Sequence, residues 1–247
     1  MTMSAFDNPT IKNQHNHVSV REFSDRVITD DERLAILESA RASSTSCFLQ
    51  AVSIIRITDP EVRAKMAEYS GNQAQVKNAP EFWVFCADYH RDNRVCEGEA
   101  DLGWTEQLLV GCTDSALMAQ NVLTAAEALG MGGCFIGGIR TNIQAVAKLL
   151  KLPKNTFPVV GLTFGFPAVR NDLKPRLPLE ILCSENEYRD PSDEELAAYN
   201  DTLVKYYTER DPAHPLASWK AKLEPTLKRE RRPFIKEFLN EQGWALK

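Results

Sequence analysis

The chain has 247 residues, a formal net charge of −5 and the composition of an ordinary globular protein, with 43% hydrophobic and 26% charged residues. The acidic balance argues against wholesale binding to nucleic acid, and no apolar run approaches the about 20 residues of a membrane-spanning helix. The first 14 residues are polar and lack the apolar core of a signal peptide, so we expect no membrane association and a cytoplasmic location.

Charge is unevenly distributed along the chain. From residue 200 onward there are 10 Lys and Arg against 7 Asp and Glu, a local net charge of +3 in an acidic protein. Such a region either attracts a small anion or forms a solvated helix face, and charge alone leaves both interpretations open.

The six cysteines form no C-x-x-C pair. Two of them, Cys86 and Cys134, lie in apolar, strand-like segments, where a reduced cysteine behaves as a small hydrophobic residue. This pattern is typical of a reducing compartment and argues against a zinc site or a disulfide framework.

The first half of the chain predicts helices and two strands. Thr29 and Glu32 have the spacing of a capping box, which opens a helix. Residues 53–58 read as a strand, and residues 81–87 form a continuous apolar run between charges, which indicates a buried central strand. Residues 101–129 are rich in apolar residues and good helix formers, so we expect one long helix or two in tandem.

Two more strands are predicted further along. Residues 134–139 read as a strand that ends in the Gly137-Gly138 pair, and residues 157–164 read as the next strand. Asn142 is expected to cap the helix between them.

The remainder of the chain is predicted to be mainly helical. Ser192 and Glu195 form a second capping box, and the last 35 residues are predicted to be helical and basic. Strands and helices are intermixed without the regular βαβ alternation of a doubly wound fold. The sequence therefore predicts one α+β domain with a C-terminal helical extension.

Several kinds of active site are not supported. Gly130 and Gly132 lack the third glycine of the dinucleotide fingerprint, because Phe135 stands there, and no lysine follows the glycines that have P-loop spacing. His15 and His17 are a weak metal signal by themselves, and we expect no metal. No G-x-S-x-G motif is present, so a hydrolase would lack its nucleophile.

Polar residues early in the chain favour an anionic ligand. His17, Ser19 and Arg21 occupy alternate positions, and alternate side chains of an extended segment face the same way. Residues 43–46 form a hydroxyl-rich stretch directly after a helix. A surface turn or a helix terminus explains each of these equally well when it is taken alone.

Two later elements fit the same kind of ligand. The Gly137-Gly138 pair lets the backbone approach a flat group because glycine has no Cβ, and Lys174 and Arg176 add two cations on a stiff loop. Either could be a strand end or a solvated loop. Together the four elements are suited to a phosphorylated, planar cofactor.

The order of the motifs resembles the nitroreductase family, in particular the oxygen-insensitive NADPH nitroreductases of the branch that contains flavin reductase P. The resemblance extends from about residue 17 to residue 247. The segments that carry it are residues 17–23 (HVSVREF), 40–50 (ARASSTSCFLQ), 53–58 (SIIRIT), 71–73 (GNQ), 81–88 (EFWVFCAD), 105–107 (TEQ), 118–121 (MAQN), 125–140 (AAEALGMGGCFIGGIR), 148–153 (KLLKLP), 172–178 (DLKPRLP), 185–188 (ENEY) and 231–234 (RRPF).

The resemblance implies a nitroreductase-like FMN-binding fold. Its sheet is mixed and mostly antiparallel, helices flank it, and the protein is a homodimer with FMN at the subunit interface. Residues 1–190 would form the FMN-binding core, and residues 191–247 a C-terminal helical extension that packs on the dimer and on the coenzyme site.

The resemblance also implies roles for individual residues. The phosphate and ribityl end of FMN would be held by His17, Ser19, Arg21, Lys174 and Arg176. The flavin ring and its neighbourhood would be contacted by Thr45 and Ser46, expected from the other subunit, and by Gln73, Glu106, Ile136, Gly137 and Gly138. Arg210 would contact NADPH, and Arg232 would lie at the substrate mouth.

The implied activity is the reduction of nitroaromatic compounds, and of quinones, by two-electron ping-pong hydride transfer from NADPH. The flavin carries the hydride at N5, so no side chain is assigned as catalytic. Two alternatives stay open: an NADPH-flavin reductase that releases reduced free FMN, and a non-catalytic flavin-binding protein.

The chain departs from the family pattern at several positions. Arginine is usual where Val18 stands, serine where Thr45 and Cys47 stand, tyrosine where Phe135 stands, and a basic residue where Pro215 stands. Only His214 is near the last position, so the preference for NADPH over NADH is expected to be less strict, and to weaken from about pH 6 to 8 if His214 takes part.

Overall fold

A computed structural model describes residues 4–247, and the contacts within it divide the chain into two compact units. The first unit comprises residues 4–171 together with Phe234–Lys247, and the second comprises Asp172–Pro233. The predicted division into an FMN-binding core (residues 1–190) and a C-terminal extension (residues 191–247) is a division by function, and it stays a prediction.

The first unit is built on a four-stranded antiparallel sheet with strand order β1-β2-β4-β3. Its strands are β1 (Val52–Arg56), β2 (Glu81–Asp88), β3 (Gly132–Ile136) and β4 (Thr156–Gly165). Among the described residues the parallel pairing is confined to one isolated bridge, between Ser19 and Gly133. The predicted α+β class and mostly antiparallel sheet are confirmed.

Helices surround the sheet and form about half of the second unit. In chain order they are α1 (Pro9–His15), α2 (Asp30–Arg41), α3 (Pro60–Tyr69), α4 (Ala74–Asn78), α5 (His90–Val95), α6 (Thr105–Ala128), α7 (Ile143–Leu149), α8 (Leu179–Leu182), α9 (Asp193–Arg210), α10 (Trp219–Leu227) and α11 (Ile235–Glu241). Short 3₁₀ turns lie at Ala5–Asp7, Ser46–Phe48 and Gly137–Arg140. No helix among residues 4–247 is long and apolar enough to cross a membrane.

Both predicted capping boxes are present. Thr29 Oγ1 accepts a hydrogen bond from the Glu32 amide at 3.1 Å, while Glu32 Oε2 accepts one from the Thr29 amide at 2.9 Å. Ser192 and Glu195 make the same reciprocal pair at the start of α9. Each box satisfies amide groups that have no partner within the helix, so a local sequence signal fixes both helix starts.

Two predicted boundaries were wrong. Strand β3 begins at Gly132 rather than residue 134 and ends at Ile136, because Gly132 and Gly133 already pair with β4 and Gly137 opens a 3₁₀ turn. The last 35 residues are not continuously helical. Residues 228–234 separate α10 from α11, and Arg232 there has a φ of 58°, which interrupts a right-handed helix.

The sheet is covered on both faces. Helix α6 packs on one face, where Trp83 and Phe164 meet edge to face with ring centroids 5.0 Å apart. Helices α3 and α7 cover the other face. Because β2 is covered on both sides, all eight of its residues are buried, as the continuous apolar run predicts.

Candidate functional site

The segment from His17 to Arg21 runs beside the start of β3. The Val20 amide donates to the Gly133 carbonyl at 2.9 Å, and the side chains of Val18 and Val20 are buried. Because side chains alternate in an extended segment, His17, Ser19 and Arg21 point away from the valines, and Arg21 is exposed.

His17 has a carboxylate partner that sequence reasoning missed. Its Nδ1 lies 2.6 Å from Oε1 of Glu127, and the Glu127 side chain is 10% exposed. Glu127 belongs to the last turn of α6. The sequence contains one indication of this partner, because Glu127 is the one charged residue in the apolar run of residues 122–129. A carboxylate at such a position needs a partner.

At the other end of β3 the structure brings Gln73 and Gly138 together. Gln73 Nε2 donates to the Ser70 carbonyl at 2.9 Å, and a Cβ on Gly138 would lie 2.2 Å from that nitrogen and 2.5 Å from that carbonyl oxygen. No side chain fits there. Ile136 is fully buried directly before the glycine pair and anchors the end of the strand.

Strand β3 therefore separates two groups of predicted residues. Gly133 lies beside the segment that carries Ser19, and Gly137 follows four residues later, at a distance of about 13 Å along an extended chain. The arrangement suits an elongated ligand with an anionic group at one end and a flat group at the other.

Arg140 adds a cation near the glycine pair. Its Nη1 donates to the Val159 carbonyl, and its Nη2 would lie 3.2 Å from a Cβ on Gly137. Burial raises the pKa of the neighbouring Cys112 thiol, while the Arg140 charge opposes that rise. Arg140 was not singled out from the sequence, although it directly follows the glycine motif.

Thr45 and Ser46 are held by a buried carboxylate, Asp114 on α6. Thr45 Oγ1 donates to Asp114 Oδ2 at 2.7 Å, and the Ser46 amide lies 3.3 Å from both carboxylate oxygens. The Gln50 amide donates back to Thr45 Oγ1 at 2.8 Å. Sequence reasoning missed Asp114, because nothing local links it to a loop 69 residues earlier.

The loop after Thr45 is conformationally unusual. Cys47, Phe48 and Gln50 all have positive φ angles, a region that side chains other than glycine rarely adopt. The Phe48 side chain is 79% exposed. Thr45 and Phe48 line a cavity of about 790 Å³ whose described lining does not include Gln73 or the glycine pair.

Glu106 lies in the first turn of α6, where a negative charge is favourable. The negative charge of Glu106 acts on Tyr89, a residue that is only 5% exposed. Burial, followed by the negative charges of Asp114, Asp92 and Glu106, raises the pKa of Tyr89 to about 12. Glu106 and the residues that fix the Thr45 loop thus share one acidic neighbourhood.

The four remaining predicted residues, Lys174, Arg176, Arg210 and Arg232, belong to the second unit. Within it, Arg210 Nη1 donates to Tyr206 Oη at 3.3 Å, and the rings of Tyr206 and Tyr207 are 5.1 Å apart. Lys222 Nζ lies 4.2 Å from the Tyr207 ring centroid.

We call Lys174, Arg210, Lys222 and the two tyrosines the Tyr207 cluster. Burial raises the pKa of Tyr207, but a hydrogen bond from Lys222 and the charges of Lys174, Lys222 and Arg210 outweigh burial and lower it. The cluster is therefore a site of positive potential.

Comparison with known proteins identifies the family. Residues 15–166 match the Nitroreductase family, and residues 174–247 match the Nitroreductase family, C-terminal domain. The chain belongs to the nitroreductase family, as the sequence motifs predict.

Several relatives are similar over nearly their whole length. The oxygen-insensitive NADPH nitroreductase of Salmonella typhimurium is 49% identical over 237 residues, which cover 96% of this chain and 98% of that protein. The crystal structure of nitroreductase A from Vibrio parahaemolyticus is 40% identical with a TM-score of 0.92, covering 97% and 99% of the two chains. The NADPH:FMN oxidoreductase from Vibrio harveyi complexed with NAD⁺ is 38% identical with a TM-score of 0.91, covering 97% and 100%.

Proposed function

We propose that this chain is an FMN-dependent NADPH oxidoreductase that reduces nitroaromatic compounds, and also quinones, by two electrons. The observation that carries the proposal is the layout of β3, with a His, a hydroxyl and a guanidinium beside its start and a glycine cradle at its end. The relative from Salmonella typhimurium is named an NADPH nitroreductase, and the relative from Vibrio harveyi has FMN in its name.

The residues of the first unit fit the two ends of FMN. We assign His17, Ser19 and Arg21 to its phosphate, because a phosphomonoester needs several charge-assisted hydrogen bonds. Gln73 is assigned to the pyrimidine edge of the ring, and the backbone of Ile136, Gly137 and Gly138 to the region of N5. FMN held by these residues would supply the redox chemistry, the transfer of two electrons from NADPH to the acceptor.

We further propose that the active protein is a homodimer. Thr45 lines a cavity that does not include the glycine cradle, which supports the assignment of Thr45 and the adjacent Ser46 to the flavin of the partner subunit. The exposed Phe48 beside them offers apolar surface for such an interface. Analytical ultracentrifugation of the flavin-loaded protein should give a dimer, and a stable 27.8 kDa species would contradict this assignment.

Residues 191–247 are proposed as the extension that serves the dimer and the coenzyme site. We assign Lys174 and Arg176 to the flavin phosphate, Arg210 to NADPH and Arg232 to the substrate mouth. Glu106, in the first unit, is assigned to the neighbourhood of the flavin. We also propose a cytoplasmic location, which the six free thiols support, because thiols persist in reducing compartments.

The visible spectrum of the purified protein tests the proposed function. We expect flavin absorption bands that bleach when NADPH is added without oxygen and return when a nitroaromatic compound follows. A bound flavin that NADPH does not reduce would favour the non-catalytic alternative. A protein without flavin that does not retain added FMN would contradict the proposal.

An NADPH-flavin reductase is the second candidate, because the relative from Vibrio harveyi has that activity in its name. Both reactions need only an accessible flavin face. Turnover of a nitroaromatic compound should be compared with turnover of free FMN at equal concentrations of NADPH. Faster reduction of free FMN would favour the reductase.

Gly138→Ala tests the cofactor site directly. The new Cβ would overlap the Ser70 carbonyl, and relief of such overlap costs about 1–3 kcal/mol of stability. Because the relief displaces the backbone of the cradle, FMN should also bind more weakly. Gly137→Ala separates the two effects, because its Cβ would meet only the end of the Arg140 side chain and should weaken FMN binding with little loss of stability. Unchanged FMN dissociation constants for both variants would place the flavin elsewhere.

A further inference from the structure

Three lysines of the second unit have different surroundings. Lys220 and Lys228 pair with Glu224, at nitrogen-to-oxygen distances of 3.8 and 2.6 Å. Lys222 lies on the same helix, α10, but no carboxylate within the described chain lies within 4 Å of it. Its ammonium group faces the Tyr207 ring instead, 4.2 Å from the centroid.

The Tyr207 ring links Lys222 to Arg210. Tyr206 and Tyr207 meet edge to face, and Arg210 donates to the Tyr206 hydroxyl at 3.3 Å. A cation therefore contacts each tyrosine, Lys222 at the Tyr207 ring and Arg210 at the Tyr206 hydroxyl. Lys174 also lies close enough for its charge to lower the pKa of Tyr207.

Such a grouping of cations is suited to a doubly charged anion. Like charges near each other repel, and an anion between them removes the repulsion while gaining charge-assisted hydrogen bonds. A phosphomonoester carries close to two negative charges at neutral pH and has three acceptor oxygens. Two phosphomonoesters are available in the proposed reaction, the 2′-phosphate of NADPH and the 5′-phosphate of FMN. The proposed function assigns the FMN phosphate to other residues, Lys174 among them, which leaves the 2′-phosphate of NADPH for Arg210 and Lys222.

His214 is the basic residue nearest to Pro215 in the loop, but its surroundings do not favour a role in binding phosphate. His214 Nδ1 lies 3.2 Å from Asp211 Oδ2, and the His214 side chain is 84% exposed. An acidic neighbour repels a phosphate, whereas Lys222 has no such neighbour within the described residues.

We propose that Lys222, together with Arg210, binds the 2′-phosphate of NADPH and thereby determines the preference for NADPH over NADH. This inference rests on the proposed function. Lys222 thus supplies the positive charge that is missing at Pro215. It does so from helix α10, which follows the loop that contains Pro215.

Lys222→Gln in the flavin-loaded protein is the test. We expect the KM for NADPH to rise about tenfold, equivalent to about 1.4 kcal/mol, with little change in the KM for NADH. Lys222→Arg should keep the preference, since a cation remains. Lys220→Gln is the matched control on the same helix and should leave both KM values unchanged.

Binding measured without turnover separates this inference from the proposed function. By calorimetry, Lys222→Gln should weaken adenosine 2′,5′-bisphosphate about tenfold and leave adenosine 5′-monophosphate unaffected. If NADPH fails to reduce the wild-type flavin, the proposed function is wrong, and the calorimetric comparison still decides the phosphate site.

Three results would overturn the inference. An equal rise in KM for NADPH and NADH would mean that Lys222 contacts the part that the coenzymes share. An unchanged KM for NADPH and unchanged bisphosphate binding would mean that it contacts neither. A loss of FMN affinity without a loss of riboflavin affinity would assign Lys222 to the flavin phosphate.

Discussion

Two groups of charged residues show how burial changes what a charge does. In the first unit, the Glu81 side chain is 3% exposed and accepts hydrogen bonds from Arg56 Nε and Nη2, both at 2.6 Å. Arg33 donates at 2.8 Å and the Trp83 indole at 2.7 Å. We call these four residues the Glu81 cluster.

The Tyr207 cluster is its opposite. Its cations, Lys174, Arg210 and Lys222, are exposed, and aromatic rings rather than a carboxylate contact Lys222. The buried Glu81 carboxylate is fully occupied by its own partners, whereas the Tyr207 cluster has positive potential available for a ligand. Variants of the first should therefore change stability, and variants of the second should change ligand preference.

The largest effect is expected from Glu81→Ala. Removal of the carboxylate leaves Arg33 and the Trp83 indole without their buried partner, and breaking a buried ion pair costs about 3–5 kcal/mol. We expect the low end, because Arg56 is 41% exposed and can turn toward water. A loss of about 3 kcal/mol should lower the Tm by about 6–12 °C in a thermal melt.

Asp30→Asn is the matched control for Glu81→Ala. Asp30 pairs with the same Arg33, but its side chain is fully exposed. Its removal should leave the Tm unchanged. If both variants lowered the Tm equally, the buried and the exposed partner of Arg33 would contribute equally to stability. That result would contradict the conclusion that burial determines what a charge contributes.

Asp114→Ala should have an intermediate effect on stability and should also affect the site. Asp114 is 3% exposed and satisfies Thr45 Oγ1 and the Ser46 amide, and hydrogen bonds to charged groups contribute about 1.5–3 kcal/mol. We expect a loss of about 2 kcal/mol by chemical denaturation, together with weaker FMN binding. Asp114→Asn keeps one acceptor oxygen and should lose less. Unchanged FMN binding in Asp114→Ala would separate the Thr45 loop from the flavin.

Local patterns predicted much of the fold. The capping boxes at Thr29 and Ser192 and the apolar run of β2 depend on neighbouring residues, so their positions could be predicted from sequence. The start of β3 could not, because Gly132 is strand only by pairing with Gly165 on β4. That pairing joins residues far apart in the chain, and a glycine by itself indicates a turn.

The site shows the same limit. The alternation of His17, Ser19 and Arg21 follows from local geometry, and the burial of Val18 and Val20 agrees with it. Glu127 and Asp114 support the site through contacts that span 110 and 69 residues, and no local pattern predicts such partners. The roles of the predicted FMN-contacting residues stay predictions.

Glu127→Ala is expected to have a smaller effect on stability, about 1 kcal/mol, because His17 is 29% exposed and water partly replaces its partner. Its effect on flavin binding is more informative. If Glu127 orients His17 toward the phosphate, FMN should bind more weakly while riboflavin, which has no phosphate, should bind as before. Glu127→Gln keeps an acceptor for Nδ1 and should restore part of the FMN affinity. Equal losses for both flavins would show a general disturbance of α6.

The smallest expected effect is the contribution of Glu81 to the change in stability at acid pH. Burial raises the pKa of Glu81, but the hydrogen bonds from Arg56, Trp83 and Arg33 outweigh burial and lower it below its usual value. A carboxyl group with a lower pKa in the folded state binds fewer protons than it does in the unfolded state. Its contribution is therefore fully present above the unfolded pKa, about 4.5, and is lost as the pH falls toward the folded pKa.

The stability lost on acidification is limited by the fraction of the Glu81 carboxyl that is protonated in the unfolded state. Between pH 7 and pH 4 linkage allows less than about 1 kcal/mol from this one group. The difference in unfolding free energy between wild type and Glu81→Ala should shrink by that amount over this interval, as measured by urea denaturation at each pH. Asp30→Asn keeps the buried Glu81 carboxyl, so its unfolding free energy should vary with pH as that of the wild type does. A difference that grew as the pH fell would mean that the pKa of Glu81 is raised in the folded protein, and that burial rather than pairing dominates the Glu81 cluster.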